Sequence, residues 1–149
     1  MSEHQFNIRV YGLLTENDKI LVTDEFRMNT LMTKFPGGAL EFGEGTIDCL
    51  KREFMEELNL KVEVLDHFYT TDYYQPTKLI PATQQLVSIY YRVKPAEPMR
   101  FPIVGTPFSF PALIEGAQCF RWLSLDTLSE EDVTFPIDKR VVSLLLKST

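Results

Sequence analysis

Glu53, Glu56 and Glu57 stand at spacings of three and four in the run LKREFMEELNL. On a helix of ~3.6 residues per turn these spacings confine the carboxylates to an arc of about 100°. Three acids on one stripe can hold a hard divalent cation. A glycine-rich turn with Gly38, Gly43, Glu44 and Gly45 precedes them. A metal beside such a turn points to phosphate chemistry, because the cation neutralises phosphate charge. The plain alternative is a solvated helix face, and the arrangement works against it. Like charges at these spacings destabilise a helix by about 0.2–0.5 kcal/mol per pair. Glu56 and Glu57 also fall near the negative end of the helix dipole, which disfavours acids by roughly 0.3–1 kcal/mol. Arg52 can pair with Glu56 at i,i+4 and offsets part of this. A bound cation would remove the conflict.

The wider pattern is more specific. Gly38, five residues, Glu44, seven residues, and then Arg52-Glu53-Phe54-Met55-Glu56-Glu57-Leu58-Asn59-Leu60 resembles the Nudix box. The one departure is Asn59, where that family usually has glycine. The glycine ends the helix in a left-handed conformation, and asparagine is its best replacement. The box spans residues 38–60, which is 23 of the 149 residues.

The resemblance implies a Nudix fold, an α/β/α sandwich around a mixed β-sheet. It implies hydrolysis of a nucleoside diphosphate linked to another group, with water attacking one phosphorus of the pyrophosphate. Glu53, Glu56 and Glu57 match the family's metal-binding acids, and Glu53 or Glu56 matches the general base of many members. Glu44 matches an acid that joins the metal network, Arg52 an arginine that orients the glutamates, and Gly38 a glycine whose carbonyl binds metal. Mg²⁺ suits this oxygen set, with Mn²⁺ as a substitute. Glu115 is the candidate for a further acid that many members recruit ahead of a late strand. Tyr74 and Phe108, with Tyr73, Phe101 and Phe110, are candidates for stacking on a base, although core packing is the commoner use of aromatics. Pro76 lies 16 residues after Leu60, as in some ADP-ribose hydrolases, which favours a nucleotide sugar such as ADP-ribose. A nucleoside triphosphate is the next reading. Some Nudix-like domains bind nucleotides as regulators without cleaving them, but those typically lose box glutamates, and all are present here.

The elements that must position these residues read as α+β. Residues 6–14 and 19–26 are strand-like, with a hairpin turn at 15–18. Residues 31–35 form a short strand leading to Pro36-Gly37-Gly38. The box helix runs from about Thr46 to Leu58, with Ile47, Leu50, Phe54 and Leu58 as its apolar stripe. Strands follow at 60–73, 84–94 and 118–123, then a helical turn at 125–131 and a terminal helix at 137–147. Residues 95–116 carry five prolines, which exclude regular structure. Their phenylalanines suggest a substrate lid or a dimer arm.

Composition sets outer limits. Residues 1–149 suit one domain with a sizeable core. A net charge of −6 argues against a nucleic-acid-coating surface. No apolar run approaches the length of a membrane span, and the first residues lack secretory features. Cys49 and Cys119 have no metal or redox spacing and read as buried thiols in a reducing cytoplasm. His4 and His67 are isolated, which argues against zinc. The expected partner is a small nucleotide, with no nucleic acid or membrane. Homodimers are common among relatives of this type.

Overall fold

The computed structural model describes residues 3–148. Among them, seven strands form a mixed sheet with a helix on either side. The strands are β1 (Gln5–Glu16), β2 (Lys19–Arg27), β3 (Thr30–Lys34), β4 (Gly37–Ala39), β5 (Val62–Thr70), β6 (Gln84–Pro95) and β7 (Ala117–Ser124). The helices are α1 (Thr46–Leu58) and α2 (Pro136–Lys147).

β1 is the axis. From Gln5 to Leu14 it runs parallel to β6, with Asn7 opposite Leu86, Arg9 opposite Ser88 and Tyr11 opposite Tyr90. Its other edge carries β4, antiparallel, from Arg9–Ala39 to Tyr11–Gly37. Its far end turns into β2 through Asn17 and Asp18, both at positive φ (51° and 60°). That is the backbone a tight two-residue hairpin requires, and Asn and Asp tolerate it well. β2 lies between β3 and β7, and β5 pairs antiparallel with β6. The sheet therefore divides along β1 into a β4–β1–β6–β5 part and a β3–β2–β7 part.

Side-chain alternation sorts the core into two layers. Val10, Leu14 and Leu21 pack with Cys49, Leu50, Phe54 and Leu58 of α1. Tyr11, Leu13, Ile20 and Val22 pack with Ile137, Val141, Val142 and Leu145 of α2. Each such side chain, fully buried, contributes about 1.5–3 kcal/mol. This is the α/β/α sandwich expected. Gly12 sets the spacing of α1, since a Cβ there would lie 2.6 Å from the Phe54 ring. The apolar stripe of α1 differs at one position: Ile47 is 44% exposed, and Cys49 takes the buried place. Near the helix start the stripe drifts off the sheet, so the sulfur one turn away from Phe54 faces in. Asn59 ends α1 at φ 48° and ψ 42°, the left-handed conformation expected of it.

Three further boundaries differ from the sequence reading. The strand at 60–73 is shorter, because Asp72 leaves the ladder to accept a hydrogen bond from Tyr69. The helical turn at 125–131 contracts to a 3₁₀ turn over Glu130–Asp132, closed by the reciprocal Ser129–Asp132 cap. Gly37–Ala39, read as a bend, pairs with β1 as a strand.

Residues 95–116 wrap the free edge of β7. Phe101 packs edge-on against Phe120, Val104 N–H donates to the Phe120 carbonyl at 2.9 Å, and Phe108 N–H donates to Asp24 at 3.1 Å. Asp24 is fully buried and also takes the Arg121 guanidinium at 2.7 Å and the Thr33 hydroxyl at 2.6 Å. The segment thus covers an edge strand that would otherwise expose unpaired backbone, and its Glu97 to Pro102 part lines a depression with Glu56 and Glu57. No helix among the described residues is long and apolar enough to cross a membrane.

Candidate active site

Arg52 ties the acidic residues together. Its Nε donates to Glu44 Oε2 at 3.0 Å and its Nη2 to Glu44 Oε1 at 2.6 Å, a bidentate pair. Nη1 reaches Glu53 at 3.0 Å and Glu56 at 3.2 Å, and Nη2 also meets the Ala39 carbonyl at 3.1 Å. One planar cation therefore fixes the loop, the helix and β4 to one another. The Arg52 hydrogen bond, with the Glu41 N–H, holds the Glu44 carboxyl down at about 2. Burial, then Glu44, pushes the Cys49 thiol up to about 12, so it stays protonated and inert.

Glu53 lies over Gly38. A Cβ built on Gly38 would fall within 2.5 Å of both Glu53 carboxylate oxygens. Glycine is thus required at that position by the acid itself, not by backbone torsion. Gly37 is required differently: its φ is 154°, and a Cβ would meet the Val10 carbonyl oxygen and come 2.7 Å from Tyr11 Cα. Glu57 is one turn on from Glu53 and turns toward β2 and β3. Burial, then the charge of Glu25, then that of Glu53, raise its carboxyl to about 7, while Lys34 and Arg27 oppose this.

Glu53 and Glu57 share the wall of a cavity of about 430 Å³. Its floor is made by parallel partners on β1 and β6, Asn7, Arg9 and Tyr11 with Leu86, Ser88 and Tyr90. Gly37, Gly38 and Ala39 form one side, with Arg27, Met32 and Lys34 from β2 and β3 nearby. Gln75, Thr77, Leu79 and Ile80 contribute from the loop before β6, and Phe135 to Asp138 from the start of α2. Thr134 secures that start, since its hydroxyl accepts from Thr33 N–H at 2.7 Å.

The box residues come together here, but not as a finished three-acid cluster. Among the described residues no three His, Cys, Asp or Glu side chains are set to hold a metal ion. Arg52 engages Glu53 and Glu56 through Nη1, while Glu57 makes no contact with it and faces the cavity with Glu53. The candidates outside the box lie elsewhere. Glu115 accepts from Met28 N–H at 2.8 Å and stabilises the positive-φ turn at Met28 and Asn29. Tyr74 lines a separate depression with His4, Phe6 and Gln84. Phe108 packs against Phe110 in the β7 cover. None of the three lines the cavity that Glu53 and Glu57 share.

Arg9, Glu25, Lys34, Tyr90 and Asp138 were not singled out in the sequence. For the strand residues the signal is polar side chains at period two, as in Asn7-Arg9-Tyr11 and Thr23-Glu25-Arg27, which marks a strand face turned toward a site; Asp138, on α2, has no such signal.

The model of the NUDIX domain family matches residues 3–145. The chain belongs to the Nudix family. Three solved structures illustrate the shared fold. The E. coli ORF135 protein is 15% identical with a TM-score of 0.72, over 97% of this chain and 91% of that one. A MutT NUDIX hydrolase from Burkholderia pseudomallei is 15% identical with a TM-score of 0.70, over 95% and 98%. An ADP-ribose pyrophosphatase from Streptococcus suis is 16% identical with a TM-score of 0.62, over 95% and 90%. Nudix enzymes act on small nucleotides and generally use divalent metals.

The residues of this Nudix site fit such a cation in donor chemistry. All are hard oxygens, as Mg²⁺ or Mn²⁺ prefers. Burial and the charges of Glu25 and Glu53 together raise Glu57, and a cation would relieve the repulsive part. Glu56 is 57% exposed at its side chain, so it has room to swing from Arg52 toward the others.

Asp138 gives the cavity its own pH dependence. It is fully buried and accepts from the Tyr90 hydroxyl at 2.5 Å. Burial raises its carboxyl from 3.8 to about 6, against the pull of that hydrogen bond. The folded state therefore keeps a proton that the unfolded chain releases above about pH 4. Stability from this group is complete below pH 4 and is lost as pH climbs through 6, by ~3 kcal/mol in total. Asp138→Asn should abolish that slope. Urea unfolding of both proteins at pH 4, 5, 6 and 7 checks it, and parallel stability curves would reject it.

Proposed function

We propose that this Nudix enzyme hydrolyses the pyrophosphate bond of a nucleoside diphosphate linked to a second moiety, with ADP-ribose or another nucleotide sugar as the favoured class. The supporting observation is that Glu53 and Glu57 share, with Gly37, Gly38 and Ala39, the wall of a cavity of about 430 Å³. That volume is in the range that takes a nucleotide-sized ligand. The site belongs to a single domain spanning residues 1–149. Glu53, Glu56 and Glu57 are the metal-binding acids, together with the Gly38 carbonyl and with Glu44 at the edge of the network. Mg²⁺, or Mn²⁺ in its place, would neutralise the anhydride's charge and polarise its phosphoryl oxygens.

The chain's own residues do the remaining work. Arg52 orients Glu53 and Glu56 through the hydrogen bonds described, and Glu44 locks Arg52. Glu53 or Glu56 takes the proton of the attacking water. The partly apolar cavity beyond them, with Met32, Leu79, Ile80 and Leu86, excludes water from the bound nucleotide. A panel of dinucleotides, sugar nucleotides and nucleoside triphosphates with Mg²⁺ tests the reading. Turnover of sugar nucleotides is expected. Preferential turnover of triphosphates would shift the substrate class, and tight nucleotide binding with no turnover would make the domain a regulator.

A further inference from the structure

Strand alternation sends Glu25 and Arg27 of β2 to the same face as Lys34 of β3. Glu25 is 1% exposed, an unusual place for a carboxylate. Its Oε2 accepts from the Thr23 hydroxyl and the Gln118 amide, both at 3.2 Å. Its Oε1 accepts from Arg27 Nε at 2.9 Å and faces Lys34 Nζ at 3.5 Å. One buried anion thus holds two cations, although one would neutralise it. Among the described residues Arg27 meets this carboxylate through its Nε, and its side chain is 52% exposed. Both side chains line the cavity next to Glu57 and Gly38. A buried ion pair contributes little net stability, so the pairing with Glu25 does not by itself account for both cations at the cavity wall.

We propose that Arg27 and Lys34 form a phosphate grip, binding the non-bridging oxygens of the substrate phosphate beside the one held at the glutamates. Glu25 anchors both cations from inside the sheet. Arg27 offers a planar fork suited to two phosphate oxygens, and Lys34 a point charge at the cavity wall. The same cations line the cavity that Glu53, Glu57 and Gly38 line, which puts grip and acids within reach of one pyrophosphate. The inference rests on the pyrophosphohydrolase reading and deepens it by naming what holds the substrate's charge.

Two probes test it: calorimetric binding of inorganic pyrophosphate to metal-free protein, and hydrolysis of ADP-ribose with Mg²⁺. Arg27→Gln and Lys34→Met should each weaken pyrophosphate binding by roughly 10- to 100-fold, the range for a charge-assisted hydrogen bond. KM for ADP-ribose should rise by a similar factor while kcat stays within about threefold, since the contact is made in both ground and transition states. Lys34→Arg should restore most of the loss, and the urea midpoint of Lys34→Met should stay near that of wild type, which a purely structural defect would not allow. Wild type that fails to bind pyrophosphate, variants that bind it as tightly as wild type, or a fall in kcat at unchanged KM would each overturn the grip. Pyrophosphate binding that depends on both cations, in a protein that hydrolyses nothing on the panel, would leave the grip standing and remove the hydrolase reading.

Discussion

Glu57→Gln should lower kcat by ~10²–10⁴, because it removes several kcal/mol of charge complementarity where the anhydride reacts. The fold should not suffer. Glu57 is crowded by Glu25 and Glu53 in a poorly solvated place, and its carboxyl is already raised to about 7. A neutral amide of the same shape relieves that crowding. Above about pH 5 the variant should be as stable as wild type, or more so by ~1 kcal/mol. Loss of activity with gain of stability is the mark of a functional charge held against its own preference. Turnover with Mg²⁺ and urea unfolding at pH 7 measure the two sides. A fully active Glu57→Gln enzyme would strike Glu57 from the site.

Gly38→Ala is expected to cost roughly 10²-fold in kcat/KM with a stability loss under ~2 kcal/mol. The new methyl would occupy the space of the Glu53 carboxylate, whose oxygens lie 2.5 Å from that point. The obstacle is the end of a flexible side chain, so the protein can yield by moving Glu53. A displacement of about 1 Å at the reacting centre is enough for a 10²-fold loss. Gly37→Ala gives the opposite readout, because there the methyl meets backbone at Val10 and Tyr11. It should unfold or strongly destabilise the chain, at more than ~3 kcal/mol. Kinetics and urea midpoints on the two variants separate the roles of adjacent glycines. Wild-type activity in Gly38→Ala would mean that the position of Glu53 does not matter.

The box was legible because its chemistry is local. Helical spacing alone puts Glu53 and Glu57 one turn apart, and the asparagine at 59 adopts the left-handed end expected of it. The strands β1, β2 and β6 were legible as runs rich in β-branched and aromatic residues bounded by turn signals. What could not be read depends on pairing over long separations. Arg9 enters the cavity only because β1 lies parallel to β6, and Asp138 only because α2 packs across the same face. Phe108 looks like a ligand platform in sequence, and in the fold it is held by Asp24, 84 residues away. Glu115 likewise belongs to a turn made by Met28. Arg52 was expected to orient the glutamates; its bidentate bond to Glu44 depends on how loop 40–45 folds back.

The parallel β1–β6 pairing has a consequence for how activity is acquired. Residues 38–60 can coil early from local preferences, but the surface beneath them needs strands far apart in the chain, and the roof needs α2. Such non-local closure is slow and all-or-none. Catalytic competence should therefore emerge late during refolding, in step with amide-exchange protection of Arg9 to Tyr11 and not with the earlier helical circular-dichroism signal.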